Sequence, residues 1–305
     1  MKDDDDDSDS EEYDDERDRR VTPYTLHSGT SPLLVSMPHL GTDIPAELKD
    51  DFVPRALAVE DTDWHLDQLY NFLPSLGASV LKPRYARYVI DLNRPPDDAP
   101  MYPGASNTEL CPTRFFTGDA LYKAGREPRG PERAARRSTY WQPYHSALAQ
   151  ELARIKAIHG YALLWDAHSI CSHIPWLFDG KLPDLNIGTA NGASADASIA
   201  DAVMGAVVAA AGADMAQGGA TTAGSPGASG VTHVLNGRFK GGYITRHYGA
   251  PQDHVHAVQL EKCQSLYMQE EAPFAYDGHK AAQIQPLLQS MVANALAASR
   301  ALYGH

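Results

Sequence analysis

The run Tyr161-Ala162-Leu163-Leu164-Trp165, continued by Asp166-Ala167-His168-Ser169, decides how the whole chain is read. An unbroken apolar run this short reads as a strand buried on both faces. Gly160 stands before it, suited to the left-handed position that ends a helix. Before that glycine a helical pattern runs from Glu132 to His159, with a kink expected at Pro143. Working outward, Pro32 to Met37, Ala78 to Leu81, Tyr88 to Leu92 and Val255 to Leu260 read as further strands. Ser198 to Ala211 and Lys280 to Leu302 read as helices. So does Asp63 to Leu73, where Trp64, Leu66, Leu69, Tyr70 and Leu73 recur at near-helical spacing. Alternating strands and helices predict an α/β fold: a mainly parallel or mixed central sheet with helices on both faces.

The chain has 305 residues, 43% of them hydrophobic, enough for one sizeable buried core. A single domain is expected over residues 23–305. The formal net charge of -13 is concentrated near the start, where a run such as Asp3 to Asp7 cannot bury apolar surface. Residues 1–22 are therefore expected to form a disordered acidic tail. The acidic balance argues against nucleic acid as a partner, because phosphates need a basic face. The three cysteines form no CxxC pair, so no disulfide framework is expected and a reducing cytoplasm fits. No basic segment followed by an apolar run marks a signal peptide, and no apolar run is long enough to span a bilayer. Gly212 to Gly230 reads as a flexible Gly/Ala/Ser/Thr insertion, and the Pro/Gly/Asp-rich stretch Pro96 to Pro131 as a functional loop or lid.

Open parallel sheets bind ligands beyond the carboxyl ends of their strands. The predicted strand ends carry His39, Asn93 with Arg94, Asp166 with His168, and Glu261. Asp63 opens the helix after the first loop. A catalytic zinc takes about three protein ligands and keeps one position open. His39, Asp63 and His168 supply a suitable set. Each histidine alone reads better as a hydrogen-bonded structural residue, and it is their joint placement that suggests a metal. Asp61 and His65 flank Asp63 as alternative ligands. Asp61 can instead support the site from behind, as Asp166 can orient a ligand or cap a turn. Glu261 is placed to act as a base, or else is a solvated residue starting a helix. Arginine presents a planar fork that matches carboxylates. Arg94, stiffened by two prolines, and Arg246, after a glycine hinge at Gly241-Gly242, suit a small dianionic substrate; Arg87 lies nearby, and Arg84 reads as a surface charge. No GxSxG motif supports a serine hydrolase.

Several blocks at these positions resemble the bacterial N-formylglutamate deformylase (amidohydrolase) family. They are Pro38-His39-Leu40-Gly41-Thr42, Asp61-Thr62-Asp63-Trp64-His65, Val89-Ile90-Asp91-Leu92-Asn93-Arg94-Pro95-Pro96, Leu164-Trp165-Asp166-Ala167-His168-Ser169 and Gly237-Arg238-Phe239-Lys240-Gly241-Gly242-Tyr243-Ile244-Thr245-Arg246-His247. The likeness runs in order from about Thr30 to Leu302. The family resembles the zinc exopeptidases of the carboxypeptidase kind in fold. The resemblance implies one Zn²⁺ on His39, Asp63 and His168, with Co²⁺ or Mn²⁺ as alternatives, and Glu261 as base. It also implies Arg94 and Arg246, with Asn93 beside them, as carboxylate binders. The implied reaction is hydrolysis of N-formyl-L-glutamate to formate and glutamate in histidine degradation. The acidic tail and the long Gly212 to Gly230 segment depart from the family pattern without interrupting a chemical block.

Overall fold

The computed structural model describes residues 22–101, 108–215 and 230–304. Its sheet contains β1 (Tyr24–His27), β2 (Leu33–Ser36), β3 (Ser79–Pro83), β4 (Ala162–Ile170), β5 (Leu185–Gly188), β6 (His233–Leu235) and β7 (Val255–Cys263), in the order β1-β3-β2-β4-β7-β5-β6. Strands β3, β2, β4 and β7 are parallel, while β1 runs antiparallel to β3 and β5 antiparallel to β7. The sheet is therefore mixed, with its parallel strands at the centre.

Side-chain alternation along the strands divides the core. Leu33, Val35, Leu163, Trp165, Ala167, Val258 and Leu260 face one way. Leu34, Ala162, Leu164 and Ala257 face the other. Helices α5 (Ala197–Met215) and α7 (Gly278–Tyr303) cover the first face through Ile199, Val203, Leu288 and Met291. Helix α4 (Gln142–His159) covers the second through Tyr144, Leu148, Leu152 and Ile155. Each such aliphatic side chain stabilises the fold by about 1.5–3 kcal/mol when fully buried.

Shorter helices are α1 (Ala46–Lys49), α2 (Leu66–Leu69), α3 (Gly130–Arg136) and α6 (Tyr243–Tyr248). A π-helical turn, Arg137–Trp141, joins α3 to α4 and widens the helix just before Pro143, which cannot donate a backbone bond. Gly160 ends α4 at φ 79°, and its N–H donates to the carbonyl of Lys156. Asp277 caps α7 by accepting from the N–H groups of His279 and Lys280. No helix among the described residues is long and apolar enough to cross a membrane.

Two local expectations are corrected. Tyr88 to Leu92 is not a strand but a series of turns, whose apolar side chains fill two separate core clusters. The helix expected over Asp63 to Leu73 shrinks to α2, because His65 adopts a left-handed conformation at φ 59° and the chain tightens into a 3₁₀ turn at Leu73–Leu76. The run Tyr243-Ile244-Thr245, after the glycine hinge, opens α6. Helix α5 continues to Met215, into the segment read as a flexible insertion; residues 216–229 of that segment, residues 1–21 of the tail and residues 102–107 of the long loop lie outside the described residues.

Candidate metal centre and active site

Strands β4 and β7 set His168 opposite Glu261, and Asp166 opposite Gln259. These four side chains share the parity of Leu164 and Ala257, so they project from the α4 side of the sheet. Both strands run past the expected boundary. Asp166 and His168 lie inside β4, and Glu261 lies inside β7, where it is buried rather than solvated at a helix start. His39 sits in the turn after β2, and its carbonyl accepts from the N–H of Asp63 at 3.0 Å. That bond fixes the two segments to each other before any metal is considered.

The side chains of His39, Asp63 and His168 meet below the surface, with 4%, 1% and 1% exposure. Nδ1 of His168 lies 3.2 Å from Nδ1 of His39 and 3.2 Å from Oδ2 of Asp63. Nδ1 of His39 lies 3.6 Å from the same carboxylate oxygen. All three donor atoms fall within 4.8 Å of one another, so the group can hold a metal ion. Behind them, Nε2 of His39 contacts Oδ1 of Asp91 at 2.7 Å, and Nε2 of His168 lies 3.1 Å from Oδ2 of Asp166 and 3.0 Å from Nδ2 of Asn93. A carboxylate behind each imidazole is the arrangement that orients ligand histidines. Oδ2 of Asp63 also accepts from the N–H of Ser169 at 3.1 Å.

The electrostatics fit a cation. Asp63, Asp91, Asp166 and Glu261 are all buried, and the buried positive groups around them are Arg87 and Lys262. Oδ1 of Asp166 and Oε1 of Glu261 have no hydrogen-bond partner among the described residues. Protons partly offset this excess. Burial pushes the Glu261 carboxyl up to about 8, and the charge of Asp63 adds to the effect against His168 and Lys262. Burial opposes charge on His168, but the carboxylates of Asp166 and Asp63 outweigh it and raise the imidazole to about 10. A divalent ion among two nitrogens and one oxygen would balance the same carboxylates without those protons.

Of the other expected residues, Asn93 and Arg94 line the cavity at this centre, and Asp61, His65, Arg84 and Arg246 do not. Of the two carboxylates near Trp64, Asp63 is brought to the histidines. Asp61 faces away, accepting from the N–H of Phe116 at 3.0 Å, and burial raises it to about 6. His65 instead contacts the carbonyl of Phe274 at 2.8 Å. Asn93 accepts at Oδ1 from the N–H of Ile244 at 2.8 Å. It packs so tightly that a Cβ added at Gly242 would lie 2.2 Å from its Nδ2, which requires glycine there. The guanidinium of Arg94 donates to the carbonyl of Thr108 and to its hydroxyl, and to the carbonyl of Asn93. Arg94 lines a cavity of about 70 Å³ together with Arg87, Asn93, His39, His168 and Glu261. Arg246 lies on α6, exposed, with Nε donating to the carbonyl of Gly241 at 2.8 Å, and it does not line that cavity. Arg84 pairs with Asp43 at the surface.

Sequence reasoning missed Asp91, which bridges His39 and the Nη2 of Arg87, the latter at 2.6 Å. Its signal was present, since a carboxylate inside the apolar run Tyr88 to Leu92 must find a buried partner. Gln259 was also missed; its side-chain oxygen accepts from the N–H of Gly242 at 2.6 Å and ties the glycine segment to β7.

Comparison with known proteins identifies the family. The profile of the N-formylglutamate amidohydrolase family matches residues 31–268. The N-formylglutamate deformylase of Pseudomonas putida is 49% identical over 273 residues, covering 90% of this chain and 95% of that protein. Its counterpart in Pseudomonas aeruginosa is 50% identical over 275 residues, covering 90% and 96%. Among solved structures, the N-formylglutamate amidohydrolase of Ralstonia eutropha JMP134 superposes with a TM-score of 0.71 at 22% identity, covering 90% of this chain and 97% of that one. A gene product of Agrobacterium tumefaciens follows with a TM-score of 0.62 at 19% identity, covering 90% and 95%. Those two share the fold. By its profile match and its half-identical relatives over nearly their full length, this chain belongs to the N-formylglutamate amidohydrolase family.

Proposed function

We propose that the protein is a zinc-dependent amidohydrolase that cleaves N-formyl-L-glutamate to formate and L-glutamate, a step of histidine degradation in the cytoplasm. The observation that carries the reading is the buried His39–Asp63–His168 trio with an unpartnered Glu261 carboxylate one strand away, in a chain half identical to named deformylases. A divalent ion held by the trio supplies Lewis acidity toward water and toward the formyl carbonyl. Glu261 takes the proton of the attacking water and delivers it to the departing amine. Asp91 and Asp166 hold the two imidazoles in orientation, and Arg94, with Asn93 beside it, receives a glutamate carboxylate. Arg246, on α6 outside the lining of that cavity, is assigned the second carboxylate.

The test is formate release from N-formyl-L-glutamate before and after chelation, with Zn²⁺, Co²⁺ and Mn²⁺ added back, beside N-acetyl and N-succinyl amino acids. Release that is lost on chelation and restored by Zn²⁺ is expected. A better N-acyl substrate would move the chemistry to another acyl group, and purified protein with neither metal nor turnover would favour a non-catalytic carboxylate-binding relative.

Arg94→Ala is expected to raise KM by about 10- to 100-fold, the worth of a charge-assisted hydrogen bond, with a smaller fall in kcat. Arg246→Ala should act in the same direction. Steady-state kinetics with KM unmoved in either variant would remove that arginine from substrate capture.

A further inference from the structure

Beside the small cavity at the trio lies a second of about 470 Å³. The two share Phe116, Ser169 and Ile170 as a common wall. Two of these are fixed by the site itself. Ser169 donates its N–H to Asp63 and accepts the hydroxyl of Tyr267 at 2.7 Å, and Ile170 ends β4 in a buried cluster. Phe116 alone comes from a loop, is half-buried, and has its ring stacked under the Arg87 guanidinium at 4.5 Å.

The larger cavity is lined by Asp61, Glu270 and Glu271, and by Glu60, which pairs with Arg55, with no lysine or arginine among its lining residues. Like charge keeps a dianionic amino acid out of it. The amino-acid half of the substrate therefore points toward Arg94, and the acyl half faces the shared wall. Resting on the amidohydrolase reading, we infer that Phe116 is the partition that restricts the acyl group to formyl: its ring fills the space a longer acyl chain would enter. Shortening it opens the reaction cavity into a reserve of apolar, negatively charged space that takes uncharged acyl chains and rejects anionic ones.

The experiment compares kcat/KM for N-formyl-, N-acetyl-, N-propionyl- and N-succinyl-L-glutamate in the parent enzyme and in Phe116→Ala. Phe116→Leu, which keeps apolar contact with Arg87, serves as the second variant, and thermal unfolding reports the integrity of both. The propionyl-to-formyl ratio should rise about 10- to 100-fold, the discrimination attached to one or two methylenes in an apolar pocket. The succinyl-to-formyl ratio should stay where it is. Inhibition constants of N-propionyl-L-glutamate against N-formyl-L-glutamate should fall in parallel, giving a binding readout apart from turnover. Parent turnover with unchanged ratios in a folded variant overturns the partition alone, and an equal gain for N-succinyl overturns the direction assigned to the acyl chain. A parent that releases no formate overturns the hydrolase reading and this inference together.

Discussion

Glu261→Gln is expected to lower kcat for formate release by about 10²- to 10⁴-fold, the usual contribution of a positioned proton-transfer group. The change is nearly isosteric at a buried position of β7, in register with His168. The amide keeps the volume and removes both the negative charge and the ability to take a proton. Metal content should persist, because Glu261 lies outside the His39–Asp63–His168 group. KM should change little, since the substrate carboxylates are assigned to the arginines. Metal analysis by mass spectrometry and steady-state kinetics on one preparation decide the matter. A folded, metal-loaded Glu261→Gln enzyme that keeps its parent kcat would remove this residue from proton transfer.

Asp63→Ala is expected to be more damaging, because it strikes metal and scaffold together. The carboxylate supplies the oxygen of the donor group and also accepts from the N–H of Ser169. Its loss should abolish stoichiometric metal and reduce turnover by more than the roughly 10- to 100-fold typical of a residue behind a ligand. Leaving a buried N–H without an acceptor should also cost about 1–3 kcal/mol of stability, seen as a lower Tm. Asp61→Ala is the contrast. That carboxylate holds Phe116 of the neighbouring loop and does not reach the histidines, so metal should remain bound. Full metal occupancy in Asp63→Ala, or its loss in Asp61→Ala alone, would reverse the assignment of the carboxylate.

The two histidine donors were legible in the sequence because each stands at the end of an apolar run. A polar residue there must either reach solvent or find company; His39 and His168 were read as ligands from their joint placement, while Glu261 stood open as a base or a solvated helix start. What stayed illegible depends on partners remote in the chain. The apolar residues of Tyr88 to Leu92 have strand-like composition, yet they form turns that place Asp91 under His39 and Asn93 beside His168. Composition reports that a segment is buried, not what it pairs with. The same holds for direction: nothing local in Leu185–Gly188 distinguishes a parallel strand from the antiparallel one that β5 forms against β7. The choice between Asp61 and Asp63 rests on remote contacts, the Asp63 N–H donating to the carbonyl of His39 and Asp61 accepting from the N–H of Phe116, which leave no local signal.

The pairing of β4 with β7 also has a kinetic side. The ammonium of Lys262 donates to the carbonyl of His168 across 94 positions of chain, so the two strands can meet only after everything between them has been made. During synthesis both imidazoles and Asp63 leave the ribosome well ahead of Glu261. Closing so large a loop is slow, and parallel pairing at long range is among the later events of folding. A nascent or truncated chain ending before β7 would expose an unpaired edge on β4, open to association with other chains.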